Sequence, residues 1–471
     1  MSSRRIIAFL LLSAALGLGQ LKPAHDITYS EAKPVLNDFS DDPPADLRGL
    51  TPAQVQAKWP AYVSEQDRST RERLLQGDED SLVNLLLYGT SFTKEPRLTA
   101  EFLKQNGMSI NPAQRSVVSD ILSRRANDVI AAMASPNAGE RLRYMRGLMQ
   151  KRGQNVDTPA AREKLHAYLL AAVSRVYSEF SQFEEKLQQA REAGDTGVEF
   201  AIRSTLFQQR GISLDTSIMP DYALEEALKE ILRVHLFARD GIHRVAVIGP
   251  GLDFTDKAEG FDFYPQQTTQ PFLLLDSLIR IGLSNPDQVE LTTLDISPRV
   301  NEHVAAMRRN ASQGKPYDIQ MPLRGDKNWT AGAREFWQNA GSKIAAATKA
   351  VTVPPSEGKV EIRAIRVPTA TVLRIHPRDE NVVWQRLPLN EDEKYDLIVA
   401  TNILVYYDEF HQALALANIQ SMLKPGGLLL TNDGLPDVQT LSIHQIGGSS
   451  TAYSDEKEDG DHIIWYQYKP R

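Results

Sequence analysis

The chain has 471 residues, 42% of them hydrophobic, a formal net charge of -7 from 53 basic and 60 acidic side chains, and no cysteine. This is globular composition, which rules out a wholly disordered chain, and at about 150 residues per domain it holds two to four domains. The absence of cysteine excludes disulfides, thiolate zinc sites, iron–sulfur clusters and a cysteine nucleophile, and the net negative charge argues against a general nucleic-acid coat.

Arg4 and Arg5 precede an apolar run from Ile6 to Gly19, with Gly17 and Gly19 as small residues for cleavage. Residues 1–20 therefore read as a secretory signal peptide; an N-terminal anchor or a frayed helix is the other reading. The run falls short of the ~20 residues of a membrane span, and no other apolar stretch is long enough. The expected destination is secreted or periplasmic, with membrane-anchored or cytoplasmic as the alternative. Residues 21–50 are polar, carry DFSDDPPAD at 38–46, and read as a linker.

Residues 51–239 form a helical domain in this reading. Asn111-Pro112 and Thr158-Pro159 each set a capping side chain before a proline suited to a first helical position. Apolar residues then recur at helical spacing, as at Leu165, Leu169, Val173 and Val176. Asp221 opens another helix, with Leu224, Leu228, Ile231 and Leu232 on one face.

At His243 the grammar changes. RVAVIG (244–249), VELTTLD (289–295), YDLIVATN (395–402) and GLLLTND (427–433) are short apolar or β-branched runs. Helical segments at 271–282, 298–309 and 408–423 lie between them. This alternation predicts a parallel sheet covered on both faces over 240–471. Residues 310–386 exceed one strand–helix step and read as one core strand plus an insertion, with helix over 328–350 and strands at 360–367 and 370–375. At 451–470, two strand-like runs around Asp459-Gly460 predict a terminal antiparallel hairpin.

Three features carry chemistry. Gly249-Pro250-Gly251 follows the first strand, where glycines permit a tight turn and a close ligand approach; an ordinary strand-to-helix turn is the alternative. Asp295 ends the next strand, where a carboxylate can accept both hydroxyls of a ribose or cap the helix begun by Ser297-Pro298. Ser297 can cap that helix itself, which frees Asp295. The third feature is the pair YDLIVATNILVYYD (395–408) and LKPGGLLLTND (423–433), in which Lys424-Pro425-Gly426-Gly427 reverses the chain into a strand.

The ordered set RVAVIGPG, TTLDIS, YDLIVATNILVY and LKPGGLLL resembles the class I S-adenosylmethionine-dependent methyltransferases. YDLIVATNILVYYD is most similar to the chemotaxis-receptor (CheR-type) enzymes. The resemblance spans residues 240–471 and implies a Rossmann-like α/β sheet with a terminal antiparallel hairpin, here preceded by an all-α domain. It implies S-adenosylmethionine as cofactor. Gly249 and Gly251 would border its methionine part, Asp295 would hold the ribose, Ile296 would pack near the adenine, and Thr401 and Asn402 would line the floor where donor and acceptor meet. The chain departs from the family at Val247, where an acidic residue is common, and at Thr401, where the chemotaxis enzymes carry arginine.

The expected activity is methyl transfer to an unidentified acceptor, a small molecule or a protein side chain. A catalytically silent methyltransferase-like binding module of an exported protein is the alternative, and a nicotinamide oxidoreductase is disfavoured by the missing third glycine. No catalytic residue is assigned; Asn402, Tyr406 and Tyr264 are the candidates. Tyr406 and Tyr407 follow the fourth strand and either face the acceptor or pack in the core. GFDFYPQQTTQPF (260–272) reads as a lid over the pocket through Asp262, Tyr264, Gln266 and Gln267, or as a surface loop that caps a helix. The nine histidines form no HxH or HxxxH pair, so no metal site is expected.

Overall fold

The computed structural model describes residues 23–99, 102, 112–192, 211–213, 215–216, 218–253, 261–325, 327–432, 434–455 and 459–470. The expected signal peptide and the residues Asn111 and Gly260 lie outside the described residues.

Before the sheet domain come the short strand β1 (His25–Asp26) and the helices α1 (Tyr29–Asp38), α2 (Pro52–Tyr88), α3 (Pro112–Ala134), α4 (Glu140–Lys151), α5 (Pro159–Glu192) and α6 (Met219–Arg233). The sheet domain contributes β2 (Arg244–Ile248), α7 (Gln270–Ile281), β3 (Glu290–Asp295), α8 (Pro298–Ser312), β4 (Tyr317–Arg324), α9 (Ala331–Asn339), β5 (Ala346–Thr348), β6 (Val360–Val367), β7 (Ile375–Asp379), β8 (Gln385–Arg386), β9 (Tyr395–Ala400), α10 (Glu409–Met422), β10 (Leu423–Thr431), β11 (Ile443–Ala452) and β12 (Gly460–Tyr468).

Seven strands form the main sheet in the order β11-β12-β10-β9-β2-β3-β7. β7, β3, β2, β9 and β10 are parallel, and β12 joins β10 antiparallel with β11 beside it. Every residue of β9 is buried, and all of β2 after Arg244, as expected of parallel strands covered on both faces. From β2 the chain winds outward through β3 and β7, then returns to β9 and β10 on the other side. The order therefore reverses between β2 and β9, which opens a crevice at their carboxyl ends. This is a Rossmann-like α/β sheet with a terminal antiparallel hairpin, the fold class expected from the sequence.

Three details differ from the sequence reading. Residues 23–50 are built into the fold, not a free linker. Thr28 and Glu31 make a capping box that starts α1, β1 pairs with β8, and Ile27, Ala32, Val35 and Leu47 are buried in the apolar cluster under α10. The Trp59 indole locks this segment down by donating to the Ile27 carbonyl at 2.8 Å. Next, α6 packs on the sheet domain. Its apolar face, Leu224, Leu228 and Ile231, lies in one cluster with Leu274, Leu278 and Val247. The insertion, finally, is a separate antiparallel sheet, β4-β6-β5. Residues 369–372 form a helical turn rather than the start of a strand, and only 331–339 of the expected helix over 328–350 is helical.

Candidate functional site

The crevice floor begins at Gly249 and Gly251, both with left-handed backbone (φ 63° and 64°), which glycine adopts without strain. The Gly249 amide donates to the Leu294 carbonyl at 2.8 Å, which ties the turn to β3. A Cβ on Gly249 would sit 2.1 Å from Ile403 Cδ1. At this glycine the space is taken by the chain's own side chain, so close packing between the β2 and β9 turns explains the residue.

Asp295 ends β3 beside this turn and is buried. Its Oδ1 accepts from the Ser297 amide at 2.7 Å, and the Ser297 hydroxyl caps α8 at Val300. The cap is thus supplied by Ser297, as the sequence suggested. Asp295 Oδ2 is buried and has no hydrogen-bond partner among the described residues. Burial pushes the carboxyl up to about 7; the Ser297 amide, Arg299 and the Gly251 amide oppose the rise, and Asp379 across the strand pair adds to it. A buried carboxylate oxygen without a donor costs free energy of order 1–3 kcal/mol, and two vicinal hydroxyls would satisfy it. The residues present fit a ribose at this position.

The adjacent edge is closed by the helical region. Arg71 of α2 donates to the Ile296 carbonyl at 3.2 Å and pairs with Asp379 at 2.9 Å and Asp67 at 3.0 Å. Asp67 in turn accepts from Asn381 at 2.7 Å. Arg73 donates to the Tyr406 carbonyl at 3.0 Å and lies 5.9 Å from the Tyr407 ring centroid. Residues 211–213 pass along α2, with the Ile212 carbonyl against Gly77, where a Cβ would come within 1.8 Å. Asp215 then pairs with Leu252 in the glycine turn. Tyr406 is buried, and its hydroxyl accepts from the Ser213 amide at 3.4 Å. It therefore holds this strap. Tyr407 is buried too, and burial raises its hydroxyl well above the ordinary tyrosine value.

On the β9 side, the buried Thr401 hydroxyl accepts from Gln270 Nε2 at 3.0 Å. Asn402 is exposed and has left-handed backbone, φ 58°, which asparagine tolerates better than other residues with a Cβ. It pairs reciprocally with Asn432 at the end of β10: its amide donates to Asn432 Oδ1 at 2.7 Å, and Asn432 Nδ2 donates to Asn402 Oδ1 at 2.8 Å. Asn432 Nδ2 also reaches Asp461 Oδ1 at 3.3 Å.

Asp461 is one wall of a cleft of about 220 Å³ beside the crevice. The loop after the glycine turn (Asp253, Phe261, Tyr264, Gln267), β4 (Gln320, Met321) and the hairpin turn (Tyr453, Asp459) complete it. Asp253, to which the sequence reading gave no site role, lines it. Its Oδ2 accepts from the Tyr264 hydroxyl at 2.5 Å and Gln267 Nε2 at 3.2 Å, while its Oδ1 is buried and unbonded. Burial pushes the carboxyl up to about 6, partly offset by Arg141, Tyr264 and Gln267.

Residues 261–272 are a buried wall of this cleft rather than a lid. Asp262, Tyr264, Gln266 and Gln267 are all buried. Asp262 accepts from the Thr90 and Ser91 amides and hydroxyls beyond α2. Arg141 of α4 donates to the Asp262, Tyr264 and Asp253 carbonyls, and Gln267 exchanges two bonds with Gln320, at 2.7 and 2.8 Å. A segment bonded on three sides cannot swing open without leaving these groups unpaired.

No family model matches the chain, and no curated protein matches it in sequence. Among solved structures the chain is similar to the N-methyltransferase NodS from Bradyrhizobium japonicum WM9, at 12% identity over 53% of this chain and 98% of that one, with a TM-score of 0.25. It is also similar to the glycopeptide N-methyltransferase MtfA, at 12% identity over 53% and 90% of the two chains and a TM-score of 0.27. A TehB-like SAM-dependent methyltransferase from Corynebacterium glutamicum matches at 10% identity over 62% and 99%, with a TM-score of 0.25. Among the described residues, no group of His, Asp and Glu is arranged to hold a metal ion, and no helix is long and apolar enough to cross a membrane.

Proposed function

We propose that the chain binds S-adenosylmethionine in the crevice between β2 and β9 and transfers its methyl group to an acceptor in the adjoining cleft. The observation that carries this is Asp295: a strand-end carboxylate at the switch point, buried, with one oxygen lacking a donor. When bound, the cofactor supplies an already activated methyl group, so the protein's task is to position the acceptor and exclude water, not to form a covalent intermediate. Asp295 accepts the ribose hydroxyls, the Gly251 turn borders the methionine part, Ile296 faces the adenine, and Thr401 and Asn402 border the passage to the cleft. Arg71, Arg73 and the strap through 211–213 and Asp215 close the edge against solvent.

Thermal shift tests this reading with S-adenosylhomocysteine against NADH. At 100 times its dissociation constant a ligand stabilises by about 2.7 kcal/mol, and only S-adenosylhomocysteine is expected to do so. A second reading, a catalytically silent binding module, is favoured by Ile403 filling the space over Gly249. It predicts no turnover of any acceptor by a chain that still binds the cofactor. We also propose export on the strength of Arg4, Arg5 and the apolar run that follows. Intact-mass analysis from the native host is expected to find a start near Gln20, and a full-length species contradicts cleavage.

A further inference from the structure

Resting on the proposed methyl transfer, we propose that the cleft between the 261–272 wall, β4 and the hairpin turn is built for an amine, held as its cation by Asp253 with Asp459 and Asp461 opposite. Three observations point the same way. Asp253 is 6% exposed, lines the cleft, and has one carboxylate oxygen without a hydrogen bond, while Tyr264 and Gln267 fix the other. Ionised, that oxygen only accepts, and it has no partner among the described residues, so a ligand's N–H or O–H suits it.

The balance of charge and ring faces then selects between nitrogen and oxygen. Three carboxylates, Asp253, Asp459 and Asp461, line the cleft against two cations, Arg324 and Lys327. Phe261, Tyr264, Trp329 and Tyr453 supply aromatic walls, whose faces attract cations. Three of these rings carry a cation of the chain, Arg97 over Phe261, Arg141 over Tyr264 and Lys327 over Trp329 at 5.3, 5.5 and 5.7 Å, which leaves Tyr453 and the opposite ring faces for a ligand's ammonium group. Burial raises the Asp253 carboxyl to about 6, so it can share the proton of a bound ammonium group at Oδ1.

The cleft also has the right neighbours. Asp461 is hydrogen-bonded to Asn432, and Asn432 to Asn402, so one wall is tied to the end of β9. Asp253 lies two residues beyond Gly251, so chain continuity sets the cleft beside the cofactor crevice.

The test uses the full chain and three probes of one size and different charge: phenethylamine, 2-phenylethanol and phenylacetate, each titrated by calorimetry without cofactor. Phenethylamine is expected to bind, phenylacetate not at all, and the alcohol at least tenfold more weakly than the amine. Asp253→Asn is expected to lower amine affinity at least tenfold while S-adenosylhomocysteine affinity stays within twofold. Should that variant not fold, Asp459→Asn, a half-buried position, is expected to weaken the amine at least threefold. Equal binding of amine and phenylacetate, no binding of the amine, or unchanged amine affinity in the variants overturns the proposal. Amine binding by a chain that ignores S-adenosylhomocysteine leaves this site standing and overturns the methyl-transfer reading instead.

Discussion

Replacing Asp295 with asparagine isolates its charge with little change of shape. The amide retains an oxygen for the Ser297 amide, now held at 2.7 Å, so the start of α8 survives. What is lost is the ionised acceptor for the ribose, a charge-assisted pair worth about 1.5–3 kcal/mol, or roughly 10–150-fold in affinity for S-adenosylhomocysteine. The wild-type protein carries a second signature. Its Asp295 is raised to about 7 in the free chain, and hydroxyl donors favour the ionised form. Binding therefore releases a proton below that pH, and affinity climbs by roughly tenfold between pH 6 and 8. In Asp295→Asn this slope disappears. Calorimetry at pH 6, 7 and 8, repeated in buffers of different ionisation enthalpy, reads both effects. A variant within twofold of wild type, or a wild-type affinity flat across that range, would falsify the assignment of Asp295 to the ribose.

Glu380 follows β7, its amide donates to the Asp295 carbonyl at 3.3 Å, neither carboxyl oxygen is bonded among the described residues, and burial pushes it up to about 8. Its contribution to stability is full at low pH and lost as pH rises through about 8. Glu380→Gln should remove that loss, gaining on wild type by roughly 4 kcal/mol between pH 5 and 9, at about 1.4 kcal/mol per pH unit; parallel denaturation curves across that range contradict it. Asp262→Ala strips the acceptor from the Thr90 amide and the Ser91 amide and hydroxyl, at a cost of about 1 kcal/mol for each hydrogen bond lost in this part-buried setting. Limited proteolysis should then cut within 261–269 well before wild type, and equal rates refute the buried-wall description. Asn402→Val places a β-branched residue at φ 58° and should cost about 1–2 kcal/mol more than Asn402→Gly in thermal denaturation, a difference absent if the backbone relaxes.

The sheet was legible because its strands are buried on both faces. VAVI within β2 and LIVA within β9 are continuous apolar runs, and the proline–glycine turns between strand and helix are local signals. The strand-end carboxylate was legible for the same reason: Asp295 stands at the one polar step that ends a buried run. Contacts made across hundreds of residues were not. Arg71 reaches the Ile296 carbonyl from a helix 225 residues earlier, and nothing in its own segment distinguishes it from Arg68, which is exposed on the same helix. The 261–272 segment misled because its polar side chains suggest water, whereas they bond to Asp253, Gln320 and the chain beyond α2; composition reports polarity, not the partner. α1 was hidden by the acidic, proline-rich stretch that follows it, although its Thr28–Glu31 capping box is a readable start signal.

The central claim, that the crevice between β2 and β9 holds S-adenosylmethionine, is tested most directly by titrating the full chain with S-adenosylhomocysteine at pH 8, where Asp295 is ionised, with NADH titrated in parallel. A saturable isotherm with one site per chain for S-adenosylhomocysteine, and none for NADH, is the predicted result. No heat from S-adenosylhomocysteine, or saturation by NADH instead, contradicts it.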